Sequence, residues 1–182
     1  DSPLGRIAQR RITDAAAAAN PVAALESLGD HYAPGDTDFA WTRLTLWRAQ
    51  LAAVLDQPPF EPVLAAGVSG SADSPSTELL AAWLRLQLGV HVALEITDAG
   101  SGSSGIHGVT LERASGTIVL ERQVPEIATL VQPGQPRHEI ALPRRNLRDC
   151  LAEELRRLDP DELFGDVVGR GLRELLDAGS ES

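Results

Sequence analysis

The sequence predicts an α/β chain: a mixed β-sheet flanked by helices, ending in a C-terminal helical pair. Three observations carry that reading. Apolar residues recur at helical spacing up to position 88, at alternate positions from 90 to 120, and at helical spacing again from 147. Turn-forming pairs, Ser115-Gly116 and Pro133-Gly134, punctuate the strand-rich middle. A chain of 182 residues with 43% hydrophobic side chains can bury a core without a disulfide or metal staple.

Arg11-Ile12-Thr13 reads as a short strand. Asn20-Pro21 starts a helix, with Asn capping free amides and Pro preset for the first turn. Val22, Leu25 and Leu28 form its apolar stripe and Gly29 ends it. Thr45 is the expected cap of the next helix, whose inner face is Leu44, Trp47, Leu51, Val54 and Leu55, with Pro58-Pro59 as its stop. A buried strand over 62–68 follows. Ser74-Pro75 opens a helix that buries Leu79, Leu80, Trp83, Leu84 and Leu88 and ends at Gly89.

Alternation then sets in at Val90, Val92, Leu94 and Ile96 and resumes through Val109, Leu111, Ile118 and Leu120. Weaker strands are expected at 127–131 and 138–142. Leu147, Leu151, Leu155 and Leu158 give one face of the next helix. An Asp in Asp159-Pro160-Asp161-Glu162 caps the last, which buries Leu163, Val167, Leu172 and Leu175. Gly165, Gly169 and Gly171 weaken it by about 1 kcal/mol each relative to Ala, so close packing against a neighbour is expected. In domain terms, residues 1–60 read as an N-terminal helical lead-in and 61–182 as an α/β domain ending in two helices.

Charge and composition exclude several functions. The net charge of −10 makes nucleic acid and anionic membrane poor partners. All 16 basic residues are Arg, which rules out a Schiff-base lysine and a Walker-type lysine. Cys150 is the single cysteine, so no internal disulfide forms. No apolar run is long enough to span a bilayer, and no signal pattern opens the chain, which reads as cytoplasmic. The start at Asp1 rather than Met suggests a trimmed or processed piece.

The chemical motifs are weak. Gly100-Ser101-Gly102-Ser103-Ser104-Gly105 fits the dinucleotide pattern, but residues 106–113 alternate as a strand where the pyrophosphate needs a helix start. No cofactor is expected there. The Gly67–Ser74 stretch leads from a strand into a helix and could hold an anion, yet Asp73 sits at its mouth and no basic residue is near in sequence. His31, His91, His107 and His138 share no ligand spacing, so no metal site is expected. No nucleophile–base pair stands out, and no catalytic residue is assigned. Cys150 reads as a buried thiol, or as a redox thiol if Arg144, Arg145 and Arg148 favour its thiolate. Those three Arg crowd a helix start, where the dipole disfavours cations, so acidic neighbours or a partner must compensate.

Gly35 to Arg48 is the densest constellation, with Trp41, Trp47, Arg43 and Arg48 at close helical spacing. Trp and Arg are favoured interface anchors, although buried rings fill cores more often, with the arginines then paired to Asp36 or Asp38. Arg43, Trp47, Arg48, Arg144, Arg145 and Arg148 are the candidate partner-binding residues, with Trp47 expected in the core.

Three stretches in order carry a family resemblance: Pro3-Leu4-Gly5 with Arg10 to Asp14, then Gly35 to Arg48, then Cys150 to Asp161, which reads CLAEELRRLDPD. With these the chain resembles the C-terminal part of the glucose-6-phosphate dehydrogenase assembly proteins (OpcA) of actinobacteria and cyanobacteria. The resemblance implies a cytoplasmic, non-enzymatic protein, longer at its N-terminus. Such a protein binds glucose-6-phosphate dehydrogenase and promotes its assembly or activity in the pentose phosphate pathway. The cyanobacterial branch is linked to thioredoxin control through cysteines, of which this chain has only Cys150. The alternative is a domain that senses a sugar phosphate or nucleotide at Gly67–Ser74. A homo-oligomer remains open.

Overall fold

The structure, a computed structural model, describes residues 7–97, 104–157 and 159–180. Most of Gly100–Gly105 therefore lies outside the described residues, as does Leu158. A six-stranded sheet runs in the order β4-β3-β5-β6-β7-β8. Its strands are β3 (Ala65–Ser71), β4 (Val92–Thr97), β5 (Ile106–Arg113), β6 (Gly116–Val124), β7 (Ile127–Val131) and β8 (His138–Ala141). Within this sheet β3 and β4 pair in parallel, joined through helix α4 (Pro75–Leu88), and the other described pairings are antiparallel. The sheet is mixed, as its sequence pattern predicts.

Register puts the apolar residues on one face. Val68 pairs with Val109, Val109 with Leu120, Leu111 with Ile118, and Leu120 with Leu130. All are buried, while Thr110, Glu112 and Glu121 on the opposite face are exposed. This alternation is the signature of a sheet with one covered face. The β5–β6 hairpin turns on Ala114-Ser115, one residue earlier than expected, because Gly116 already pairs with Arg113. Likewise β3 begins at Ala65, so Gly67 to Ser71 belong to the strand and only Ala72–Ser74 connect it to α4.

Helix α4 is central. All ten residues from Pro75 to Leu84 are buried, not one stripe alone. Its large side chains join the sheet core, and its small ones admit other helices. A Cβ on Gly171 would come within 3.1 Å of the Ala82 carbonyl oxygen. One contiguous core contains Leu25, Trp41 and Trp47 together with Val68, Leu111 and Leu120. It therefore runs across position 60.

Around α4 lie α1 (Pro21–Asp30), capped by Asn20, and α3 (Thr45–Leu55). Helix α1 continues one residue past Gly29, where a Cβ would strike the Val168 carbonyl oxygen at 2.4 Å. The glycine is a contact point rather than a stop. Thr45 is the first helical residue of α3, not its cap, and its hydroxyl lies 2.9 Å from the Thr42 carbonyl oxygen. Before α3 stand two elements too short for a periodic signal. Strand β2 (Asp36–Asp38) pairs in parallel with β1 (Arg11–Thr13), and α2 is the single turn Phe39–Thr42.

The C-terminal pair comprises α5 (Leu147–Glu154) and a helix in three parts: α6 (Glu162–Asp166), a π-turn at Val167–Gly171, and α7 (Leu172–Ser180). The widened turn accommodates close packing. Gly165 meets the Tyr32 ring, which a Cβ would approach to 2.7 Å. Gly169 has no such neighbour.

Candidate functional site

The residues of the sequence constellation converge as an internal clasp. Arg11 forms a two-point pair with Asp36, whose carboxylate also accepts the Ala33 amide at 2.8 Å. Asp38 caps α2 through the Ala40 amide at 2.8 Å, and its other oxygen accepts the Thr13 hydroxyl (2.6 Å) and the Ala15 amide (2.9 Å). Burial outweighs these bonds and raises the Asp38 pKa. Arg43 grips Asp14 with two bonds of 2.8 and 3.0 Å. Neither Asp36 nor Asp38 partners Arg43 or Arg48, since both carboxylates are committed to β1 and its surroundings.

The C-terminal motif closes the clasp. Glu154, 1% exposed, accepts Arg10 at 2.5 Å and the Thr42 hydroxyl at 2.7 Å. Glu153 accepts Arg145, which also reaches the Thr42 carbonyl. The Trp41 indole N–H donates to Asp161 at 2.8 Å, and Asp161 caps α6 through the Phe164 amide. Burial pushes the Asp161 pKa up, but these bonds and the charges of Arg157 and Arg48 leave it below the ordinary value. Arg48 lies over the Trp41 ring at 3.7 Å, and burial brings its pKa down to about 10.

Trp47 is 2% exposed and belongs to the core. Cys150 is fully buried, and burial raises its pKa against the pull of Arg145 and Arg43. The thiol is the favoured form. Among the described residues, no three His, Cys, Asp or Glu side chains form a metal-ligating group.

Helix α5 keeps its leucines on one face, and that face is outward. It turns Cys150 and Glu154 inward and leaves Leu147, Leu151 and Leu155 exposed at 53%, 40% and 69%. Polar partners decide this orientation: the clasp holds Glu154 inside more specifically than apolar burial could hold the leucines. Spaced four apart, these leucines form a two-turn apolar stripe. Arg148 beside them is exposed and makes no ion pair among the described residues.

Next to α5 opens a cavity of about 190 Å³. Arg43, Arg122, Arg144 and Arg145 line it, together with Asp73 and the first turn of α4. The connection after β3 has no basic neighbour in sequence, yet the fold brings it four from three distant segments. Arg122 lies over Trp47 at 5.0 Å and donates to the Leu142 carbonyl at 2.7 Å. Its pKa is lowered to about 10, by burial first and by Arg144 second.

Together, fold and surfaces define an α/β domain that is internally clasped and carries an exposed apolar helix face beside a basic cleft. The chain belongs to the family described as the C-terminal domain of the glucose-6-phosphate dehydrogenase subunit, whose model matches residues 34–168. That span contains two of the three stretches that carry the resemblance, Gly35 to Arg48 and Cys150 to Asp161. No curated protein matches the chain. Among the described residues no helix is long and apolar enough to cross a membrane.

Proposed function

We propose that this chain is a non-catalytic protein that binds glucose-6-phosphate dehydrogenase in the cytoplasm and promotes its assembly or activity in the pentose phosphate pathway. Family membership supports the partner. One observation supports the surface: the exposed leucine stripe of α5. A folded chain with its own contiguous core leaves such a stripe outside when another surface covers it. The arrangement suits a helix seated in an apolar groove, with Leu147, Leu151 and Leu155 as successive anchors.

Arg148, exposed and one residue along from Leu147, offers its guanidinium group to a carboxylate on the partner. Arg43, Arg48 and Arg145 act from behind. Their bonds to Asp14, the Trp41 ring and Glu153 fix the platform on which α5 rests. Trp47 supports the same platform from the core.

The test is co-elution of this chain with the dehydrogenase of the same organism, with dehydrogenase velocity measured with and without it. A shared peak and a changed velocity are expected. Separate elution with unchanged velocity would refute the reading. Concentration-dependent self-association that Leu151→Asp abolishes would instead assign the stripe to a second copy of the chain.

A further inference from the structure

The basic cavity beside α5 is set apart from the clasp by what two of its four arginines lack. Arg10, Arg11, Arg43, Arg145 and Arg157 each have a carboxylate partner. Arg122 and Arg144 line the cavity and make no ion pair among the described residues. Arg144 spends one N–H on the Ser104 hydroxyl at 2.8 Å, and Arg122 one on a backbone carbonyl. The Arg122 Nε is out of solvent and has no hydrogen-bond partner among the described residues. Two guanidinium groups near one another, in a chain of net charge −10 with many carboxylates to offer, constitute an unmet demand for negative charge.

The same cavity takes in the start of α4, a 14-residue helix whose Ser74 makes no side-chain cap bond. Pro75 has no N–H to give, and the Thr77 amide is used by the Ser74 carbonyl. The positive end of the helix dipole therefore adds to the arginine field. Two carboxyl groups oppose it: Asp73, exposed on the rim and hydrogen-bonded to the Ser71 hydroxyl, and Glu78, buried in the first turn of α4. Trp47, Ile106 and Pro143 supply apolar lining, and the volume of about 190 Å³ suits a compact ligand rather than a dinucleotide.

From the cavity, its two unpaired arginines and the uncapped helix start, we infer that this pocket binds the phosphate group of a small, sugar-sized phosphorylated metabolite. Arg144 and Arg122 contact the phosphate oxygens, the geometry for which guanidinium is suited. The carbon skeleton lies toward Ile106 and Pro143. The inference concerns this chain alone and does not depend on its binding the dehydrogenase.

Calorimetry on this chain with glucose 6-phosphate, inorganic phosphate and glucose tests it. The phosphate ester is expected to bind saturably and inorganic phosphate to compete with it more weakly, while glucose does not bind. Arg144→Ala should weaken the ester at least tenfold with an unchanged melting temperature, because Arg144 is exposed. Asp73→Asn should tighten it. Arg173→Ala, outside the pocket lining and 65% exposed at its side chain, should change nothing. Absence of saturable binding by either phosphate probe through the millimolar range overturns the inference, as does binding that survives both Arg144→Ala and Arg144→Glu. If phosphate fails to bind while Arg144→Ala weakens dehydrogenase binding, the arginines meet a carboxylate of the partner, and the metabolite site is refuted.

Discussion

Glu78 gives the fold a pH dependence that one substitution should remove. Its side chain lies in the first turn of α4, 5% exposed, and its Oε2 has no hydrogen-bond partner among the described residues. Burial raises its pKa from the ordinary 4.5 to about 7. A carboxyl with a raised folded pKa stabilises the fold while it is protonated. That contribution is complete below 4.5 and is lost as pH rises through about 7. At about 1.4 kcal/mol for each unit of pKa difference, the loss between pH 4.5 and 8.5 amounts to about 3 kcal/mol. Glu78→Gln keeps the shape and stays neutral. Urea unfolding across this range should show wild-type stability falling and the variant nearly flat. At pH 8.5 the variant should melt higher by roughly 6–12 °C for a chain of this size. Asp38, also raised by burial, leaves a smaller slope of the same sign in both proteins. Parallel slopes in the two proteins would refute the assignment to Glu78.

Trp47→Ala should cost about 3–5 kcal/mol of folding stability by urea denaturation, since the ring is buried against the core and under Arg122. Glu154→Ala removes the ion-pair partner of Arg10 and the nearer acceptor of the Thr42 hydroxyl, and should cost about 2–3 kcal/mol, discounted because Arg10 keeps some solvent and both groups retain a backbone carbonyl. Gly165→Ala drives a methyl into the Tyr32 ring and should lower stability by about 1–3 kcal/mol by the same measurement. Cys150 should resist a thiol reagent in the native chain and react at once in denaturant. Rapid native labelling would contradict its burial.

Much of the fold was legible because strands β4 to β6 and helix α4 carry sustained apolar periods, and period reports which side of an element is apolar. It does not report whether tertiary structure covers that side. On α5 the leucines are regular, yet two polar contacts from Thr42 and Arg10 hold Glu154 inward and leave the leucines outside. β2 and α2 were missed because three and four residues cannot show a period. Their signal lay in the aspartates: Asp38 two positions before the Ala40 amide it caps, and Asp36 facing Arg11 across the strand pair. The Trp and Arg density of Gly35 to Arg48 marked a real cluster, one that is chiefly internal. The basic cavity was invisible because its arginines, at 43, 122, 144 and 145, meet only when β6 and the connection after β8 fold back against α3.

The central claim, that the leucine face of α5 seats on glucose-6-phosphate dehydrogenase, is tested most directly by calorimetric affinity of the wild-type chain and of Leu151→Asp for that enzyme. Leu151 is 40% exposed, so the variant should keep the wild-type melting temperature. Its affinity should fall by about tenfold or more, as expected for an anchor at the middle of an apolar contact. Equal affinities for two proteins that melt alike would contradict the claim.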